Sequence, residues 1–233
     1  ISSYLASADR EIRAQKAAAE ALASVLAARD TPMVFVEGVS DAVVFRAAWE
    51  VFVGGEAPFV VEPCEGTAKM SALSATGRVL GVVGSQRRIF VVADNDGEGR
   101  GLFRNGHLAR GGRWIAHTNG AQWCLLAPTD GFKTAMRRLR VRDTDWPFTL
   151  ENLFSPDLRA QAVAAGVYLS KRSPYTDIHK QDNGVLDRVL DLPEDDRDRY
   201  YFCPVHHEYK LPFAEWVAAE ASRDASILGL LQV

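Results

Sequence analysis

Cysteine is scarce in this chain: Cys64, Cys124 and Cys203 are the three thiols in 233 residues. An odd, widely spaced set builds no disulfide framework and no CxxC zinc pair, which suits a reducing, cytoplasmic setting. Long apolar runs are also missing. Charges interrupt every hydrophobic stretch well before the ~18 residues a membrane helix needs, so no membrane partner is expected. No N-terminal segment has the layout of a signal peptide. The string GxxxxGK[ST] is absent, which excludes a P-loop nucleotide site. Neither charge sign dominates, with 27 basic against 30 acidic residues and a net charge of −3. Global charge therefore does not announce a nucleic-acid partner. The chain opens on Ile1 rather than Met, which leads us to expect a further region upstream.

What is present is ordinary globular material, 47% hydrophobic and 24% charged, enough for a sizeable core. The charge is unevenly placed. Residues 100–142 hold nine basic groups and a single acid, Asp130, while the segments on either side are acidic. A basic stripe in an acidic chain is the footprint of a phosphate polymer, although a solvated arginine-rich face gives the same count.

The pattern alternates strands and helices. Residues 8–29 are Ala-rich, free of Gly and Pro, and read as a helix ending at Thr31-Pro32. Short apolar runs at 33–36, 59–61 and 88–93 read as buried strands, and 113–117 as a shorter fourth. Helices are expected from Asp41 to Val53, capped by Ser40, and from Ala68 to Leu80. Such alternation argues a parallel α/β sheet, whose functional groups collect at the carboxyl ends of its strands. Beyond residue 120 the reading is mainly helical, at 131–141, 157–166, 183–191 and 212–222. The expected organisation is an N-terminal helix (1–31), an α/β core (32–120) and a helical extension (121–233).

Two acidic strings sit directly after apolar strands: Glu37-Gly38-Val39-Ser40-Asp41 and Asp94-Asn95-Asp96-Gly97. In a parallel sheet these loops can lie side by side. Four bare carboxylates in a small volume raise one another's pKa or push apart, and a hard divalent cation relieves the conflict. Gly38 and Gly97 are expected to allow the tight turns that aim them. An EF-hand does not fit, because Gly97 falls at loop position 4 and Asn105 at position 12.

The pairing of strand-EGxSD with strand-DxD-G resembles the Toprim domain of topoisomerases, bacterial primases and several nucleases, over about residues 33–118. The resemblance implies a Rossmann-like, four-stranded parallel sheet. It also implies Mg²⁺ or Mn²⁺, in two sites, held by Glu37, Asp41, Asp94 and Asp96, and phosphodiester chemistry on DNA. Leu150-Glu151-Asn152-Leu153-Phe154 is similar to the [IL]ExLF segment of OLD-family (overcoming lysogenization defect) nucleases, which implies Glu151 as a further metal ligand. Lys210-Leu211-Pro212-Phe213-Ala214 is similar to that family's KxxFA stretch, which implies Lys210 as an active-site lysine beside Glu37. Family members usually carry an ATPase domain, which this chain lacks, so an ATPase partner, a homo-oligomer and a setting in anti-phage defence or DNA processing are the implied context.

These residue types suit a metal-dependent endonuclease, with two ions activating water and stabilising the leaving oxygen and a lysine offsetting charge in the transition state. Arg100, Arg104, Arg110, Arg113, Lys133, Arg137 and Arg138 then become candidate contacts to the nucleic-acid backbone. Lys69 and Lys180 are reserve candidates for the active-site lysine. Cys203-Pro204-Val205-His206-His207-Glu208 has no regular zinc spacing, and Trp123, Trp146 and Trp216 read as core. Two alternatives stay open: a topoisomerase or primase catalytic piece, and a non-catalytic Toprim module that binds nucleic acid.

Overall fold

The computed structural model describes scattered positions between Arg10 and Ser24, and then residues 31–64, 70, 88–102, 114–116, 121–141, 147–171, 184–191 and 205–231. The described positions from Arg10 to Ser24 are helical, in line with the Ala-rich composition there. No helix among the described residues is long and apolar enough to cross a membrane.

Four short apolar strands form a parallel sheet: β1 (Met33–Val36), β2 (Val60–Pro63), β3 (Ile89–Ala93) and β5 (Gln122–Leu125). A two-residue strand, β4 (Ile115–Ala116), pairs antiparallel with β5 at one edge, giving the order β2-β1-β3-β5-β4. The sequence therefore misplaced the fourth parallel strand. The expected strand at 113–117 shrinks to the antiparallel β4, and Gln122–Leu125, read as the start of the helical extension, takes its place. Both runs are short and apolar, and periodicity cannot rank two such runs.

Side chains alternate across the sheet, as the pleat requires. Met33, Phe35, Ile89, Val91, Ala93, Trp123 and Leu125 share one buried cluster with Met70 and Leu102. Val36, Val61 and Val92 face the other way, against Ala42 of helix α1 (Val39–Phe52). Both faces are covered, which is why the strands read as continuous apolar runs. After β3 comes α2 (Gly97–Leu102), and after β5 comes α3 (Asp130–Arg138). Then follow a 3₁₀ turn (Leu150–Leu153), α4 (Pro156–Ala164), α5 (Val185–Leu190), α6 (His207–Ala221) and a closing 3₁₀ stretch (Ala225–Leu231).

The largest buried cluster joins these later elements to the sheet. Phe132, Met136, Phe148, Leu153, Phe154, Phe213, Val217 and Leu228 pack with Val44, Ala47 and Ala48 of α1. Helix α6 lies along α1. Edge-to-face ring pairs tie the cluster together, Phe132 on Phe148 at 4.9 Å and Phe154 on Phe213 at 5.4 Å. Trp123 is 1% exposed, and Trp216 is half-buried with its ring stacked against Phe213, so both tryptophans serve packing.

Candidate metal centre

The strand order places the centre. From β1 the chain passes to β2 on one side and then to β3 on the other, so the topological switch point lies between β1 and β3. Ligands of open parallel sheets bind beyond the carboxyl ends of the strands at that point. Glu37 follows the last residue of β1 and Asp94 the last residue of β3. Neighbouring strands lie about 4.8 Å apart, and the register of β1 on β3, with Phe35 opposite Val91, brings the two acids off adjacent strands within one residue of each other.

Asp41 arrives on the first turn of α1. The helix starts at Val39 with Gly38, not Ser40, as its N-cap, and Asp41 accepts the Gly38 N–H at 2.9 Å through Oδ2. Ser40 is instead buried inside the first turn, its hydroxyl 3.4 Å from Asp41 Oδ1. Glu151 comes from further along the chain. Asn95 and Phe148 exchange both backbone hydrogen bonds, Asn95 N–H to Phe148 O at 2.7 Å and Phe148 N–H to Asn95 O at 3.0 Å. Two residues later the Leu150 N–H donates to Asp94 Oδ1 at 2.9 Å. Those bonds dock the 3₁₀ turn that carries Glu151 against the end of β3. The turn is held by Asn152 Oδ1, which accepts the Thr149 N–H at 2.7 Å and its hydroxyl at 3.1 Å.

Lys210 completes the cluster. Its Nζ lies 3.4 Å from Glu151 Oε1, and Glu151 is almost wholly buried. The sequence places Lys210 before a helix that begins at Pro212. In the structure α6 begins at His207, Pro212 lies inside it, and Lys210 projects from its first turn.

Electrostatics bind the five residues into one unit. Burial first, then the charges of Asp96 and Asp41, push Glu37 up to about 7. Burial, then the charge of Glu151, pushes Asp41 up to about 6. Asp94 is raised well above the carboxylate range by burial and by Asp41, Glu37 and Glu151. Burial also works to raise Glu151, but the Lys210 charge and the Thr149 hydroxyl outweigh it and hold that carboxyl below its usual value. The Glu151 charge, followed by those of Asp94, Asp41 and Glu37 and opposed by burial, keeps Lys210 firmly protonated.

Among the described residues, no three carboxylate, imidazole or thiol groups already form a cluster that could hold a metal ion. The donor set nevertheless suits a hard cation. All its atoms are carboxylate oxygens, and Glu37 Oε2 is buried with no hydrogen-bond partner. A buried carboxylate oxygen without a donor is costly unless a proton or a cation supplies the missing interaction.

The remaining candidates divide. Asp96 is close enough to Glu37 to raise it, but its Oδ1 accepts the N–H groups of Glu98 (3.0 Å) and Gly99 (2.8 Å) and so caps α2. Arg100 points inward, its Nη1 donating to Asn95 O at 2.7 Å and Asn95 Oδ1 at 3.3 Å. Lys133, Arg137 and Arg138 lie on α3, with Lys133 paired to Asp130 at 3.0 Å and both arginines exposed. Arg104, Arg110, Arg113, Lys69, Lys180 and Cys203 lie outside the described residues.

Sequence reasoning missed Asn95, Asn152 and Gly99. Thr149 and Asn152 stand at the T-x-x-N spacing of a reciprocal cap, which was available as a signal. Gly38 and Gly97 do not supply the special turns, since neither has a positive φ. The glycine that matters is Gly99, where a Cβ would stand 1.8 Å from the Asp94 carbonyl oxygen. Only hydrogen fits there, which lets α2 fold back against the end of β3.

No family model matches the chain, and no curated protein or solved structure matches it. Fold alone does not name a chemistry, so function is argued from the site.

Proposed function

We propose that the protein is a Mg²⁺- or Mn²⁺-dependent nuclease that hydrolyses phosphodiester bonds in DNA, with a Toprim-like core of the OLD-family kind. One observation carries the reading. Glu37, Asp41, Asp94 and Glu151 converge from β1, α1, β3 and the 3₁₀ turn at the switch point of a parallel sheet, with Lys210 against them. A merely structural salt bridge needs one carboxylate for one lysine. Four carboxylates around one lysine must either carry uncompensated charge or hold protons at raised pKa, and folding alone would select against that cost.

Glu37, Asp41, Asp94 and Glu151 would hold the ions, with Asp96 at the margin beside Glu37. Ions held there would supply Lewis acidity, of the kind that lowers the pKa of water and offsets charge on a departing oxygen. The chain's own groups do the rest. Glu37 Oε2 has no donor and is open to an ion or to a proton. Lys210 brings a permanent positive charge to the place where negative charge grows on the phosphate. The backbone bonds between Asn95 and Phe148 fix Glu151 relative to Asp94, so little reorganisation is left for the reacting state. Lys133, Arg137 and Arg138 offer positive charge for backbone phosphates on the helix that follows β5.

The test is incubation with supercoiled plasmid in Mg²⁺, Mn²⁺ or EDTA, beside Glu37→Ala and Lys210→Ala. We expect nicked or linear product with metal, none with EDTA, and a loss of at least about 100-fold in either variant. Plasmid left intact by wild type under both metals, or cut equally by Glu37→Ala, overturns the reading.

A further inference from the structure

Arg100 follows the DxD string in the most basic part of the sequence and looks like a contact for nucleic acid. Its surroundings argue otherwise. Its Nη1 donates to both the carbonyl and the side-chain oxygen of Asn95, at 2.7 and 3.3 Å. Asn95 is 5% exposed, and every polar group it owns is engaged. Its N–H and C=O pair with Phe148, and its Nδ2 donates to the Leu126 carbonyl at 3.2 Å. Leu126 follows the last residue of β5 and donates its own N–H to Ala93 O at 3.0 Å. One asparagine thus joins the ends of β3 and β5 to the segment that delivers Glu151, and one arginine holds that asparagine.

We infer that Asn95 and Arg100 form a clasp that sets the position of Glu151 relative to Asp94, and that Arg100 is a positioning residue for the metal centre rather than a phosphate contact. The consequence for metal binding rests on the nuclease reading above; the clasp itself does not. Both bonds leave from Nη1, which stands one bond further from the backbone than a lysine Nζ and whose hydrogens are fixed in the guanidinium plane, so a lysine ammonium on its shorter, flexible stem serves the two acceptors poorly. Groups that orient ligands in this way typically change metal affinity about 10- to 100-fold when removed.

The test uses Asn95→Ala, Arg100→Gln, Arg100→Lys and the double variant Asn95→Ala/Arg100→Gln in the full chain. Three quantities are read: Mn²⁺ affinity from the spin-resonance signal of free ion, amide exchange at Phe148 and Leu150, and the salt dependence of DNA binding. In all three single variants we expect Mn²⁺ affinity to fall about 10-fold and both amides to exchange faster. The carbonyl bond from Arg100 survives in Asn95→Ala, so we expect the double variant to lose more than Asn95→Ala alone but less than the sum of the two single losses, and the salt slope of the Arg100 variants to stay at the wild-type value. Arg100→Lys decides between the roles, since a phosphate contact survives it and the clasp does not. Wild-type Mn²⁺ affinity and exchange in Arg100→Lys, with a slope shallower by about one in Arg100→Gln, overturns the inference. Should Asn95→Ala fail to fold, the two Arg100 variants decide alone. Absence of Mn²⁺ binding by wild type refutes the nuclease reading, and the exchange rates then judge the clasp: faster supports it, unchanged overturns it.

Discussion

Glu37 and Gly99 define the centre from opposite directions, one by what it carries and the other by what it lacks. The folded-state pKa of Glu37, about 7, lies above its ordinary 4.5. The folded protein therefore holds that proton more tightly than the unfolded chain does. The stability this contributes is present at pH 4 and is lost as pH rises through about 7. Asp41, raised to about 6, acts in the same direction. In chelator, the melting temperature should fall between pH 5 and 8, and Glu37→Gln should remove a large part of that fall, on the order of 2 kcal/mol at pH 8. Thermal melts across that range check it; a melting temperature that rises with pH contradicts it. Gly99→Ala would drive a methyl group into the Asp94 carbonyl oxygen. We expect it to cost about 1–3 kcal/mol, as overpacking does, and to abolish metal-dependent cleavage, measured by denaturant unfolding and by the plasmid assay. Of these two residues the sequence announced Glu37, because an acid after an apolar strand is a local pattern. Gly99 was hidden, because its necessity comes from a backbone contact that no spacing rule encodes.

At the scale of elements, α3 has the clearest division of labour. Thr129 caps it by accepting the Phe132 N–H at 3.2 Å, Phe132 and Met136 are wholly buried, and Arg137 and Arg138 face solvent. If α3 tracks a DNA backbone, replacing Lys133, Arg137 and Arg138 together by Gln should flatten the log K against log salt slope by about 2–3 without altering the melting temperature. An unchanged slope, read by filter binding over a salt series, removes α3 from the interface. The same scale shows where sequence reasoning fails. Of the four parallel strands, β1 and β3 were legible because each pairs a buried apolar run with a polar stop, whereas β2, expected at 59–61, was caught by its valines and runs on through Glu62 to Pro63. The fourth was confused with its neighbour, because Arg113–His117 and Gln122–Leu125 offer equal runs and only pairing with β3 decides between them. Helix α6 was started five residues late, at Pro212, because a proline reads as a helix beginning. Its true start put Lys210 on a rigid turn instead of a loop.

For the whole molecule, the decisive fact is that the large apolar cluster is shared between α1 and elements beyond residue 120. Phe213 and Val217 of α6 are almost completely buried, and each loses about 1.5–3 kcal/mol of burial when its neighbours are removed. A chain truncated at residue 204 should therefore expose the α1 face and aggregate or unfold, rather than persist as a small α/β unit. Size-exclusion chromatography and limited proteolysis check this. A monodisperse, protease-resistant truncation would show that the sheet holds its shape alone. The α/β class and the acidic edge were visible in the sequence. The dependence of that edge on the last eighth of the chain was not, because buried contacts between residues about 170 positions apart leave no periodic trace.

The late arrival of Lys210 also bears on timing. During synthesis the ribosome releases Glu37, Asp41 and Asp94 long before Glu151, and Glu151 long before α6. A nascent chain thus carries these acidic residues without the lysine that offsets their charge. The cluster can be assembled only once α6 has left the ribosome, so the order of translation delays it behind the synthesis of the sheet.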